Sequence, residues 1–66
     1  MPRIIVQAVE GRTAAQKREL VKSVTEAVVA AFACEPKTVT IVIEDIAKEN
    51  FAKAGVLASD SNSSGG

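Results

Sequence analysis

The alternation of apolar and polar positions divides the chain into a strand, a long helix, a second strand and a short irregular end. In the segment Arg3-Ile4-Ile5-Val6-Gln7-Ala8-Val9, one parity carries Ile4, Val6 and Ala8 and the other Ile5, Gln7 and Val9. Successive strand side chains point to opposite faces, so a run that is apolar on both parities except at Gln7 predicts a strand needing cover on both sides. Glu10-Gly11-Arg12 breaks the run. Thr13-Ala14-Ala15-Gln16 then has the form of a capping box, in which the Thr13 hydroxyl accepts from the third helical N–H while Gln16 reaches back. From Ala14 to about Ala33, the residues Leu20, Val21, Val24, Ala27, Val28, Ala31 and Phe32 recur at helical spacing among Lys17, Arg18, Glu19, Lys22, Ser23, Thr25 and Glu26. This predicts one amphipathic helix of about five turns. Glu35-Pro36 ends it, because the residue before a proline is pushed out of helical geometry.

Thr38 to Glu44 reads as the second strand, β-branched throughout its middle, with Val39, Ile41 and Ile43 on one face and Thr40, Val42 and Glu44 on the other. Strand, helix, strand is a βαβ unit, so the fold class is α/β with two parallel strands joined by a right-handed crossover. Asp45 to Asn50 reads as a polar turn or single helical turn. Phe51 to Ala58, with Gly55 between short apolar pieces, reads as a small terminal hairpin. Residues 1–58 thus form one domain, and the Ser/Gly/Asn-rich segment 59–66 is expected to be a disordered tail.

Two strands under one helix leave a sheet face and both edges bare, so self-association is predicted: first twofold pairing of sheets, then packing of the bare faces. Size points the same way. A chain of 66 residues is marginal alone, and with Cys34 as its only cysteine and no histidine it has neither a disulfide nor the usual ligands of a structural zinc. Cys34 itself reads as a small, half-buried residue at the helix exit, since no histidine can activate it. Eight basic and eight acidic residues are interspersed, and Phe32 and Phe51 are the only aromatics. That pattern offers neither the basic face nor the stacking platforms of a nucleic-acid binder. No apolar run approaches the roughly 18 to 20 residues that span a bilayer, and no signal-peptide pattern opens the chain, so a soluble cytoplasmic protein is expected.

The candidate chemistry is at Pro2. A proline at the first position of a strand is ordinary, because its missing N–H need not join a ladder. If Met1 is removed, however, Pro2 carries a free secondary amine. Burial and neighbouring charge move such an amine from its reference pKa of roughly 7.7 to 8.0, which makes it a candidate general base. Arg12 stands just past the far end of the same strand, more than roughly 20 Å away within one chain. In a twofold, antiparallel association the end of one copy's strand comes beside the beginning of the other's, which brings a neighbour's Arg12 towards Pro2. Within the chain, the segment Lys37 to Thr40 is what lies near Pro2. An amine base beside a guanidinium suits proton transfer across a conjugated keto acid, the amine taking and returning the proton while the cation holds a carboxylate.

Met1-Pro2 opening a strand, Glu10-Gly11-Arg12 before the Thr13 cap and Gln16-Lys17, and Ile43-Glu44-Asp45-Ile46-Ala47-Lys48-Glu49-Asn50-Phe51 with Ala54-Gly55 behind together resemble the 4-oxalocrotonate tautomerase family. The resemblance runs from Met1 to about Asp60. It implies βαβ subunits assembled as a hexamer, a trimer of dimers, and a cofactor-independent keto–enol isomerase acting on unsaturated 2-hydroxy or 2-oxo acids. It also implies that Pro2 is the catalytic base, that Arg12 binds the substrate carboxylate and draws electron density, and that Phe51 lines the apolar part of the site. One position departs from the pattern: where the family's archetype has a second arginine early in the second strand, this chain has Thr40. Thr40 cannot clasp a carboxylate as a guanidinium does, which leaves open both the dicarboxylate 2-hydroxymuconate and a monoacid enol of the phenylenolpyruvate type. The alternatives are a non-catalytic oligomeric module, in which Pro2 only permits methionine removal, and a hydratase or dehalogenase of the same superfamily. The latter needs a water-activating acid, for which Glu44 and Asp45 are the adjacent carboxylates at a strand end, although a solvated turn accounts for them more simply.

Overall fold

The computed structural model describes residues 1–61. Strand β1 (Arg3–Val9) leads to helix α1 (Ala14–Phe32) and strand β2 (Thr40–Ile46), and a hairpin follows from β3 (Ala52–Lys53) and β4 (Val56–Leu57). Three-residue 3-10 turns cover Pro36–Thr38, Lys48–Asn50 and Ala58–Asp60. The last of these gives structure to the start of the segment expected to be a tail, while its residues 62–66 lie outside the described residues.

β1 and β2 pair in parallel from Arg3 opposite Thr40 to Val9 opposite Ile46, the βαβ arrangement read from the sequence. The second strand sits two residues later than its β-branched composition suggests. Pro36 starts a 3-10 turn instead, held by Thr38 N–H donating to the Glu35 carbonyl at 3.0 Å and the Thr38 hydroxyl donating to the same oxygen at 2.7 Å. A proline's fixed φ suits the first position of such a turn, and the short-range bonds at Thr38 override its strand propensity. At the other end, β2 runs on through Asp45 and Ile46 because β1 is long enough to pair with them. Glu44 and Asp45 are therefore strand residues, not part of a solvated turn, and adjacent strand positions face opposite ways. Glu44 accepts from the Gln7 amide at 2.8 Å on one face, while Asp45 meets Lys17 of α1 at 2.5 Å on the other.

The capping box forms as predicted: Gln16 N–H donates to the Thr13 hydroxyl at 3.1 Å, and Thr13 N–H to the Gln16 side chain at 2.9 Å. At its far end α1 closes on Ala33 with φ 53°. Leu20, Val21, Val24 and Val28 are half-buried, whereas Ala27, Ala31 and Phe32 are exposed. A two-stranded sheet is too narrow to cover the whole stripe.

Among the described residues only Val9 is buried, at 9% exposure, while Ile5 and Phe32 are 55% and 68% exposed. The radius of gyration is 14.7 Å, against roughly 11 Å for a compact chain of this length. The accessible surface is 5030 Å², against roughly 4,000 Å² for a folded monomer of this mass. The chain extends over 43 × 22 × 14 Å, a shape too thin for one copy to cover its own hydrophobic residues.

Candidate active site

The residues singled out from the sequence fall into two groups, one at each end of the parallel pair. At the starting end, the Pro2 carbonyl accepts from Thr40 N–H at 3.0 Å. This bond extends the ladder one step beyond β1 and fixes the Pro2 backbone against the beginning of β2. Pro2 and Thr40 are thereby brought together within one chain, Pro2 half-buried and Thr40 exposed. Met1 projects away at 97% exposure.

At the finishing end, Arg12 lies in the short connection between β1 and α1. Gly11 makes that connection possible with φ 124°, a backbone that residues with a Cβ rarely adopt. Arg12 lines a cleft of about 240 Å³ between the first turns of α1 and the end of the sheet. Its apolar floor includes Val6, Leu20 and Ile43, and Lys17 and Asp45 stand at its polar side. Phe51, 42% exposed, follows the 3-10 turn after β2. Its carbonyl accepts from Ala58 N–H at 2.8 Å and so closes the hairpin's base.

Pro2 and Arg12 are separated by all seven residues of β1, roughly 23 Å of strand. One chain does not bring them together. Each end carries part of the candidate set: Pro2 and Thr40 at one, Arg12 and Phe51 at the other.

Two partnerships were not foreseen. Asp45 continues the parity of Ile41 and Ile43, and Lys17 occupies the first turn of a helix lying over that face. An acid ending an apolar parity opposite a lysine is a signal that could have found this pair. Glu10 reaches Lys48, thirty-eight positions along the chain, and no local pattern announces it. The two carboxylates considered for water activation, Glu44 and Asp45, are on opposite faces with separate partners, so they do not form a pair at one site. No helix among the described residues is long and apolar enough to cross a membrane.

A family model described as Tautomerase enzyme matches residues 2–61. The 2-hydroxymuconate tautomerase of Bacillus subtilis (strain 168) is 42% identical over 60 residues, which cover 91% of this chain and 97% of that protein. A 4-oxalocrotonate tautomerase isozyme of Methylibium petroleiphilum superposes with a TM-score of 0.83 at 41% identity, covering 88% of this chain and 91% of the other. A subunit of a heterohexamer 4-oxalocrotonate tautomerase from Chloroflexus aurantiacus J-10-fl superposes with a TM-score of 0.84 at 25% identity, covering 91% and 97%.

Proposed function

The chain belongs to the tautomerase family of isomerases, and on that premise we propose that it is a cofactor-independent keto–enol tautomerase of unsaturated 2-hydroxy and 2-oxo acids, with Pro2 as general acid and base. Family membership sets aside the non-catalytic module. The observation that carries the reading is the seat of Pro2: its carbonyl is tied to Thr40 at 3.0 Å while Met1 is 97% exposed. Loss of Met1 leaves a secondary amine held at a defined place without disturbing the sheet.

In the proposed reaction the neutral Pro2 nitrogen takes a proton from the enol hydroxyl, or from the carbon beside the carbonyl. The electron pair left behind spreads through the conjugated system. Arg12 of a second copy holds the carboxylate and stabilises the dienolate charge, and the protonated amine returns the proton to the remote carbon. One O–H or C–H bond breaks as another C–H bond forms, and nothing is oxidised or reduced. Phe51 lines the apolar part of the pocket. The assembly that joins the two half-sites is a hexamer in this reading, supported by the bare sheet face and by the heterohexameric relative. With Thr40 in place of a second guanidinium, one carboxylate is clasped rather than two. Monoacid enols are therefore accepted beside the dicarboxylate that names the Bacillus subtilis relative.

The test is an intact mass, expected to lack Met1, followed by the ultraviolet decay of 2-hydroxymuconate and of phenylenolpyruvate with native protein and with Pro2→Ala. The substitution is expected to lower kcat by about 10²-fold or more on whichever acid is turned over. Equal rates for the two proteins overturn the role of Pro2.

A further inference from the structure

We propose that Glu10 is a positioning residue that sets the spacing between Arg12 and Phe51; the proposal rests on the substrate-binding roles given to those two residues above. Arg12 and Phe51 leave the same end of the sheet on different connections, one after β1 and one after β2. Glu10 joins the two connections twice. Its N–H donates to the Ile46 carbonyl at 2.8 Å, and its carboxylate accepts from Lys48 N–H at 3.0 Å. Lys48 opens the 3-10 turn that directly precedes Phe51, and that turn is itself closed by Asn50 N–H donating to the Ala47 carbonyl at 2.8 Å. The carboxylate is thus three residues from the aromatic along a short, internally bonded turn.

On the other side, Glu10 is separated from Arg12 only by Gly11, whose φ of 124° belongs to a freely adopted backbone in glycine alone. The backbone at Arg12 is held from Glu10 before it and from the Thr13–Gln16 capping box after it. Removing the carboxylate leaves the backbone bond to Ile46 in place but frees the start of the Phe51 turn from the Arg12 connection. The guanidinium and the ring can then drift relative to each other, and misplacement by about 1 Å is enough to lower rates by about 10²-fold. A charge that merely decorated a turn would have no reason to tie both connections at once.

Three substitutions separate reach from charge, with kcat/KM measured on the acid that native protein turns over best and with melting and oligomeric mass recorded alongside. Glu10→Ala is expected to lose about tenfold or more. Glu10→Gln keeps an oxygen within reach of Lys48 N–H and is expected to stay within about threefold of native. Glu10→Asp keeps the charge but falls one methylene short, and is expected to lose nearly as much as Glu10→Ala. In an Arg12→Ala background, adding Glu10→Ala is expected to cost clearly less than it does in native protein, because the spacing of guanidinium and ring no longer counts and only the placement of the ring is left to lose. If Arg12→Ala alone matches native protein, the site reading falls and this proposal with it. If Arg12→Ala is impaired while Glu10→Ala is not, or the two losses multiply, or Glu10→Gln is as damaged as Glu10→Asp, the site stands and the positioning role is wrong. Should Glu10→Ala not fold, the contrast between the Gln and Asp variants decides alone.

Discussion

Ala33 and Ala54 both hold left-handed backbone, at φ 53° and 54°. Ala33 closes α1, where glycine is the usual occupant because a Cβ crowds the following carbonyl. Ala54 and Gly55 form the two-residue loop between β3 and β4, with positive φ at both positions, the geometry for which Asn-Gly is the preferred sequence. Each alanine carries a strain that a different side chain removes. Ala33→Gly and Ala54→Asn are each expected to stabilise the protein by about 0.5 to 1 kcal/mol, read as a rise in the urea midpoint at unchanged slope. An unchanged or lower midpoint would mean that contacts of the alanine methyl outweigh the backbone term. At this scale the sequence offers candidates by residue type and is a poor guide to conformation. Pro2, Arg12 and Phe51 can be picked out by residue type and order, whereas nothing local marks Ala33 or Ala54 as left-handed.

β1, α1 and the hairpin could be read because their signals are local: parity, a three- to four-residue stripe, a capping box, a glycine between short apolar pieces. β2 was displaced because its ends are decided elsewhere, by Pro36 and Thr38 on one side and by the length of its partner β1 on the other. The Lys17–Asp45 ion pair belongs to the same class of long-range contact. At 2.5 Å it pins the first turn of α1 to the end of β2, yet its side chains are 32% and 42% exposed. Water and salt screen a pair at that depth, so its contribution is about 1 kcal/mol or less. Asp45→Asn is accordingly expected to lower stability by no more than that, with most of the difference from native protein vanishing at about 1 M salt, measured as paired urea titrations. A larger loss that persists in salt would show that Asp45 is buried by another copy in the assembled protein.

At the scale of the whole molecule, one chain does not bring all its candidate residues together. Pro2 and Arg12 stand at opposite ends of a seven-residue strand, and a hydrophobic layer with one buried residue among those described lies open to cover. If the same association both covers the layer and completes the site, a working centre takes its amine from one copy and its guanidinium from another. Pro2→Ala and Arg12→Ala subunits, each inactive alone, should then rescue each other. Unfolded together in equal amounts and refolded, they assemble at random, and about a quarter of the sites receive an intact Pro2 and an intact Arg12 from different copies. The mixture is expected to recover about a quarter of native kcat at unchanged KM, whereas the variants refolded separately and then combined recover nothing until subunits exchange. A site contained within one chain gives no rescue under any mixing scheme, because every copy lacks one of the two groups. Failure to recover activity, in a mixture whose mass shows that mixed oligomers have formed, would therefore place both groups in the same chain or remove one of them from the chemistry.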